Sequence, residues 1–258
     1  MKFHLIITVL LFSISFGQRK CDTQFHIGEN LRINPPSWDE MVFSPSGEFK
    51  IHFDTTGVDA PDLTDENDNG IPDYVELVGS TIDYVKLMIC DIMEYNEVPS
   101  ENNPPYPIYI DNRSNGSYGV NWSSGNSSEA PYGWIEIDND YSEGSGYHTT
   151  GINAMQVTVA HEYFHAVQRK YREPSGNDTY FYEFSSTWIE ELIFPDHNDY
   201  IYWIDNFNSN PAIPFDQTNG YSVASFGHYL NTFVENLNAD NLLSNQLIRI
   251  VWENFNNS

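Results

Sequence analysis

The sequence has little positive charge: 11 Lys and Arg stand against 37 Asp and Glu, and the formal net charge of the 258 residues is -26. A surface this acidic repels phosphate backbones and anionic lipids, which argues against nucleic-acid binding and against attachment to membrane surfaces. The chain contains no repeat and no domain-sized linker. Its hydrophobic content of 40% supplies a core for one large domain or two small ones. An enzyme, a cation-binding module and a protein-binding domain remain as function classes.

Long apolar runs are absent except at the N-terminus. Lys2 precedes an apolar stretch from Phe3 to Phe16, and Gly17 provides a small residue for cleavage before Gln18. The stretch is too short to span a bilayer comfortably, and no later segment could do so. We therefore expect residues 1–17 to be a signal peptide, the mature protein to be secreted, and no membrane insertion after the signal is removed.

Cysteine is scarce: only Cys21 and Cys90 are present. In an oxidising compartment they could form a disulfide that ties the N-terminal segment to a helix, whereas two buried thiols are the alternative. The sequence does not choose between these states. Neither cysteine has the spacing of a metal ligand, so no metal-binding role is expected for them.

Hydrophobic periodicity predicts a β/α front half followed by an all-α back half. Strands are expected at 48–55, 107–111 and 133–138, with a loop rich in Gly, Ser and Asn at 112–130. Helices are expected at 73–96, 153–171, 182–194, 199–207, 222–237 and 242–255. The predicted fold class is α+β with a small mixed sheet, in one domain over 18–258 that divides into a β/α part (18–172) and a helical part (173–258).

The strongest chemical signal is the H-E-x-x-H pattern of residues 161–165, which lies inside a predicted helix. His161 and His165 are four residues apart, so they share one helical face and can both reach one Zn²⁺ at about 2.0–2.1 Å. Glu162 follows the first of these ligands, where its carboxylate can take a proton from a water molecule. The pattern predicts zinc ligation by the two histidines and general-base catalysis by Glu162.

A catalytic zinc ion takes three protein ligands and keeps one open position, so a third ligand must come from elsewhere. The next predicted helix offers Glu183, Glu190 and Glu191. Glu183 and Glu190 are seven residues apart and face the same side of that helix. Spacing alone does not choose between them.

The segments HEYFHAVQ (161–168) and EFSSTWIEE (183–191) resemble the gluzincin zinc metallopeptidases, and most closely a group of secreted bacterial members. The similarity runs from about residue 48 to the C-terminus. It implies Glu183 as the third zinc ligand, with a supporting or structural role for Glu190. It also implies a zincin-like fold, in which a sheet carries the active-site helix and a helical half closes the cleft. The implied activity is hydrolysis of peptide bonds in a peptide or protein substrate.

A second motif, at residues 65–76, matches the calcium-loop pattern D-x-[DN]-x-[DN]-G-x5-E at every fixed position. Oxygen-bearing residues alternate, Gly70 permits the sharp turn, and Pro72 suits the start of the following helix. A metal-free polar turn that caps this helix is the alternative. The expected ligands of a structural calcium ion are Asp65, Asn67, Asn69, Ile71 (through its carbonyl), Asp73 and Glu76.

Weaker signals concern the substrate. Tyr221 and His228 are candidates to stabilise negative charge in the transition state, although a helix-start tyrosine and a core histidine are the simpler interpretations. The strand at Trp134–Asp138 precedes the motif helix, where a peptide substrate could add a strand to the sheet.

These observations predict a secreted zinc-dependent metallopeptidase with Glu162 as the general base. An alternative from another class is a secreted, calcium-stabilised binding or adhesion module whose H-E-x-x-H motif is structural. A zinc hydrolase that acts on something other than peptides is a third possibility, because a fold does not determine a substrate.

Overall fold

The computed structural model describes residues 20–21, 35–98, 105–113, 116–123, 133–174, 178–238 and 240–255. The predicted signal peptide at 1–17 therefore lies outside the described residues. Within these ranges the protein is mixed α/β, with one five-stranded sheet and six α-helices. None of the described helices combines the length and the apolar character that a membrane span requires.

The sheet has the strand order β1-β2-β3-β5-β4, so β1 and β4 are its edges. Strands β2, β3 and β5 run parallel to one another, and β1 and β4 join antiparallel to β2 and β5. The sheet is thus mixed, as the sequence predicts. The strands are β1 (Glu40–Phe43), β2 (Phe49–Phe53), β3 (Tyr106–Asp111), β4 (Gly119–Trp122) and β5 (Trp134–Asp138).

The predictions for β2, β3 and β5 are confirmed, whereas β1 and β4 were not predicted. Strand β4 is only four residues long and lies within the segment 112–130 that we expected to be a loop. Its existence makes one expectation wrong: β5, at Trp134–Asp138, bonds to β3 on one side and to β4 on the other. An added strand could pair only with a sheet edge, and the edge next to β5 is β4.

The helices follow the predicted pattern with shifted boundaries, and every regular element described after residue 172 is helical. The predicted helix at 73–96 ends in a π-helical stretch, Leu87–Ile92. The predicted helix at 222–237 is broken into a 3₁₀ turn, an α-helix and a π-helical stretch. The helices are α1 (Asp73–Lys86), α2 (Gly151–Gln168), α3 (Thr179–Ile193), α4 (Ile201–Ser209), α5 (Ala224–Tyr229) and α6 (Leu247–Phe255).

Helix α2 is the central helix of the molecule. It packs against β4 and β5 on one side and against α1 and α3 on the others. All residues from Val157 to Gln168 are buried, so the polar side chains of the H-E-x-x-H motif lie inside the protein. Buried polar groups are stable only when they have partners, and the facing helix α3 supplies many of them.

Candidate metal centre

Three donor atoms from α2 and α3 converge between these helices. The Nε2 atoms of His161 and His165 are 3.1 Å apart, and the imidazole planes cross at 84°. Oε2 of Glu183 lies 3.1 Å from His161 Nε2 and 3.6 Å from His165 Nε2. All three side chains are almost fully buried. The structure therefore brings together the residues that the sequence and the family resemblance suggest as zinc ligands.

The outer nitrogens of both imidazoles are held by acceptor oxygens. His161 Nδ1 lies 2.6 Å from Glu190 Oε1, and His165 Nδ1 lies 2.7 Å from Gln168 Oε1. The Gln168 amide nitrogen donates to α3, at the Tyr182 carbonyl oxygen, so its oxygen faces His165. These acceptors favour an N–H at Nδ1 of each ring, so that a neutral ring has its lone pair on Nε2.

With neutral rings, the centre presents two imidazole lone pairs and a carboxylate to one another, an arrangement that a cation stabilises, whether it is a metal ion or a proton on His161 Nε2. Burial lowers the pKa of His161, but the carboxylates of Glu183 and Glu190 outweigh it and raise this pKa to about 10. Burial raises the pKa of Glu183, but His165 and His161 outweigh it and lower this pKa to about 2. Among the described residues, no donor reaches the buried Glu183 Oε1. All these features fit a bound metal ion.

The two candidate glutamates occupy different places. Glu183 is on the Nε2 side of His161, among the converging donors, whereas Glu190 is on the Nδ1 side and orients the ring. Carboxylates that accept the outer N–H of a metal-binding histidine fix its tautomer and raise its basicity. The geometry thus separates two residues that sequence spacing leaves equivalent.

Glu162 lies directly beneath the edge strand β4 and is fully buried. The close approach depends on a glycine: a Cβ atom at Gly119 would lie 2.9 Å from Glu162 Cγ and 2.6 Å from Thr158 Cγ2. Both contacts are shorter than carbon atoms tolerate. The absence of a side chain at position 119 therefore permits the position that the Glu162 side chain occupies.

We expect Gly119→Ala to displace Glu162 without removing a ligand. A shift on the order of 1 Å at a catalytic group lowers activity by about 10²-fold, while the amount of bound metal should not change. Gly79→Ala is the matched control, because the nearest atom to its Cβ would be 3.4 Å away. Metal content and peptide hydrolysis of both variants are the measurements. Equal activity in the two variants would show that the contact does not position Glu162.

A fourth donor, which the sequence analysis missed, comes from Cys21. Its Sγ and the donor atoms of His161, His165 and Glu183 all lie within 4.8 Å of one another. The possible disulfide does not form: both cysteines are buried thiols, and Cys90 Sγ instead lies 3.3 Å from the Tyr163 hydroxyl. Nothing in the spacing of the sequence places Cys21 beside a motif 140 residues later.

The structure distinguishes between the two residues that are candidates for stabilising negative charge in the transition state. The Tyr221 ring centroid lies 6.1 Å from that of His161, and its hydroxyl accepts a hydrogen bond of 3.2 Å from the Cys21 backbone N–H. His228 packs against Tyr200 and takes no part in the metal-ligand cluster. Only Tyr221 remains a candidate.

The predicted calcium loop is closed by its own hydrogen bonds. The side-chain amides of Asn67 and Asn69 donate to Glu76 Oε2 and Oε1, at 2.9 and 2.6 Å. Asp65 Oδ2 accepts from the N–H of Gly70, whose φ of 87° is accessible mainly to glycine. The other predicted ligands follow the same loop: Ile71 donates its N–H to Asn69 Oδ1, and Asp73 accepts from the Glu66 N–H. The loop thus turns both Glu76 oxygens toward its residues 67 and 69.

No protein-family model matches the chain, and no curated protein matches it. The geometry of the site must therefore support any functional assignment.

Proposed function

We propose that the protein is a secreted zinc-dependent metallopeptidase with a zincin-like fold. The observation that carries the proposal is the convergence of two imidazole Nε2 atoms and the Glu183 carboxylate, with Glu162 adjacent in sequence to the first imidazole. Two nitrogens and one carboxylate oxygen form a donor set that suits catalytic zinc. Export follows from the predicted signal peptide.

The residues around the centre have separate tasks in this mechanism. A zinc ion held there supplies Lewis acidity toward the substrate carbonyl oxygen and toward water. Glu162 accepts a proton from the attacking water and passes it to the leaving amine. Tyr221 donates its hydroxyl proton in a hydrogen bond to the carbonyl oxygen as negative charge develops there. Glu190 and Gln168 hold the imidazoles so that each Nε2 stays directed at the centre.

The edge strand β4 is the proposed place for the substrate backbone. A peptide that adds a strand beside Gly119–Trp122 passes directly over Glu162, because Gly119 and Glu162 are in close contact. Backbone hydrogen bonds at a sheet edge recognise an extended chain of any sequence, which suits hydrolysis of unfolded protein. This replaces the expectation that β5 pairs with the substrate.

A second candidate function has one observation in its favour. Cys21, His161, His165 and Glu183 together form a set of four donors, and closed sites with four protein ligands are typical of structural zinc. In that case the protein is a secreted binding or adhesion module stabilised by metal. The buried Glu162, which a structural site does not need, favours the peptidase.

Casein hydrolysis by the zinc-loaded Cys21→Ala chain tests the proposal, since this variant lacks the thiol next to the centre. We expect activity that disappears with a zinc-selective chelator in calcium-containing buffer and returns with about one zinc ion per chain. No hydrolysis by the zinc-loaded chain, or hydrolysis that the chelator leaves unchanged, would make the proposal wrong.

We further propose that the loop 65–76 binds a structural calcium ion. Its predicted ligands provide only oxygen donors, which calcium prefers, and they immediately precede or begin α1. The ion would fix the loop to the first turn of this helix. Without calcium, only the hydrogen bonds described above would stabilise the negatively charged carboxylates of Asp65, Asp73 and Glu76.

Calcium is expected to raise the Tm of the protein by about 5–10 °C at a concentration on the order of 100 times its Kd. Glu76→Gln should abolish most of this shift, because it removes the charged ligand on the helix. Glu66→Gln is the control, since only the backbone N–H of Glu66 takes part in the loop. Thermal unfolding with calcium, magnesium or neither measures the effect. A calcium shift that Glu76→Gln retains would rule out this loop.

A further inference from the structure

We propose that Cys21 is a fourth ligand of the zinc ion and that the segment Lys20–Cys21 keeps the peptidase latent. The thiolate would close the position that a catalytic zinc ion must keep open. This inference rests on the proposed zinc site and extends it to the regulation of that site.

The Cys21 thiol lies within the cluster of proposed zinc ligands. Cys21 Sγ belongs to the cluster with His161, His165 and Glu183, and it also lies 3.4 Å from Glu162 Oε2. The sulfur is therefore next to both the metal donors and the general base, in the region where water and the substrate carbonyl would have to react. The unpartnered Glu183 Oε1, buried in the same cluster, independently indicates that this space receives a cation.

The backbone of the Lys20–Cys21 segment occupies the place that is proposed for the substrate. Cys21 pairs with Gly119 in a parallel bridge, and the Tyr118 N–H donates to the Lys20 carbonyl oxygen at 3.0 Å. The Cys21 N–H also donates to the Tyr221 hydroxyl. The segment therefore occupies the edge of β4 and the tyrosine that the mechanism assigns to the substrate. A substrate therefore has to compete with the segment for this place, and loss of the thiol ligand weakens the competitor.

The Lys20 side chain explains why the segment stays in this position. Its ammonium group is buried and forms ion pairs with Glu190 and Asp199. Glu190 is the residue that also orients His161. A buried carboxylate pair without a cation is costly, so Lys20 supplies a charge that α3 and the loop before α4 require. The thiol is thus fixed by contacts that do not depend on the metal.

Binding of Cys21 as a ligand requires no oxidant or reductant. The thiol loses one proton to solvent as its sulfur bonds to zinc, and the reverse step restores the thiol and three-ligand zinc. Any event that removes the sulfur from the centre opens the fourth position. Latency is therefore reversible as long as the chain remains intact.

The absorption spectrum of the cobalt-substituted full chain tests the ligand directly. The wild type and Cys90→Ser should both show a sulfur-to-cobalt charge-transfer band, and Cys21→Ala should lose it while retaining the visible bands of bound cobalt. Cys90→Ser is the matched control, because this second buried thiol lies outside the cluster. A band that persists in Cys21→Ala, or is absent from the wild type with cobalt bound, overturns the proposal.

Thiol labelling provides a measurement that does not require replacement of Cys21. In the Cys90→Ser chain, zinc should slow the reaction of Cys21 with a thiol-specific disulfide reagent by about tenfold or more, since a ligated thiolate is masked. Lys20→Met should speed labelling of the zinc-loaded chain, because it removes both ion pairs. Labelling rates that are independent of zinc contradict ligation by Cys21.

Casein hydrolysis by the wild type and by Cys21→Ala distinguishes an error in the proposal of latency from an error in the proposed function. Cys21→Ala should cleave casein about tenfold faster than the wild type or more, since a tethered competitor acts at an effective concentration on the order of millimolar. A charge-transfer band without hydrolysis by either chain supports ligation but contradicts the peptidase. Equal hydrolysis by both chains supports the peptidase and overturns latency.

Discussion

Glu162→Gln is expected to lower kcat/KM for casein by about 10³-fold, within the range typical for loss of a general base. Glutamine has nearly the same shape as glutamate but cannot accept the proton of the attacking water. Because Glu162 is not one of the converging donors, the zinc content of the variant should equal that of its parent. The assay is best made in the Cys21→Ala chain, where the thiol cannot obscure the effect.

Glu173→Gln is the control for this prediction. Glu173 lies just beyond the C-terminus of α2 and is largely exposed, and its only described ion pair is with Arg169. Exposed ion pairs contribute little, so the control should keep the activity of its parent. Chelator-sensitive hydrolysis that is undiminished in Glu162→Gln would exclude Glu162 as the base, even if zinc is bound.

Glu183→Gln and Glu190→Gln are expected to differ in zinc affinity. Loss of the carboxylate that faces both Nε2 atoms should weaken zinc binding by more than about 10²-fold, because it removes a charged ligand. Glu190→Gln should weaken binding by only about tenfold, since an amide oxygen can still accept the hydrogen bond from His161 Nδ1. Comparison of the two variants therefore distinguishes a zinc ligand from a residue that orients a zinc ligand.

Competition for zinc with a chromophoric chelator measures both affinities on the same scale. The circular dichroism spectrum checks that each variant is folded, since Glu190 also pairs with Lys20. A larger loss of affinity in Glu190→Gln than in Glu183→Gln would reverse the assignment of the two residues.

The parts of the site that the sequence predicts are those set by local geometry. His161, Glu162 and His165 lie within about one turn of helix, so their spacing alone predicts a shared face. The proposed calcium loop is likewise contained in 12 consecutive residues, whose pattern of oxygen-bearing side chains matches what a calcium ion requires. Glu183 could be named because of a family resemblance, and the structure then places it with the two imidazoles.

The parts that the sequence does not predict depend on contacts between distant segments. Cys21 lies 141 residues from Glu162, and Lys20 lies 179 residues from Asp199. No periodicity connects such positions, so only the folded chain reveals them. Strand β4 was missed for a related reason: its four residues are stabilised as a strand by pairing with β5 and by the helix beneath, despite flanking residues typical of loops.

The measurement that tests the central claim most directly is an anomalous difference map, recorded at the zinc absorption edge from crystals of the zinc-loaded full chain. The account predicts one strong peak within ligand distance of His161 Nε2, His165 Nε2 and Glu183, with Cys21 Sγ as the fourth neighbour. Zinc elsewhere in the protein, or no peak between α2 and α3 in zinc-loaded crystals, would contradict the account.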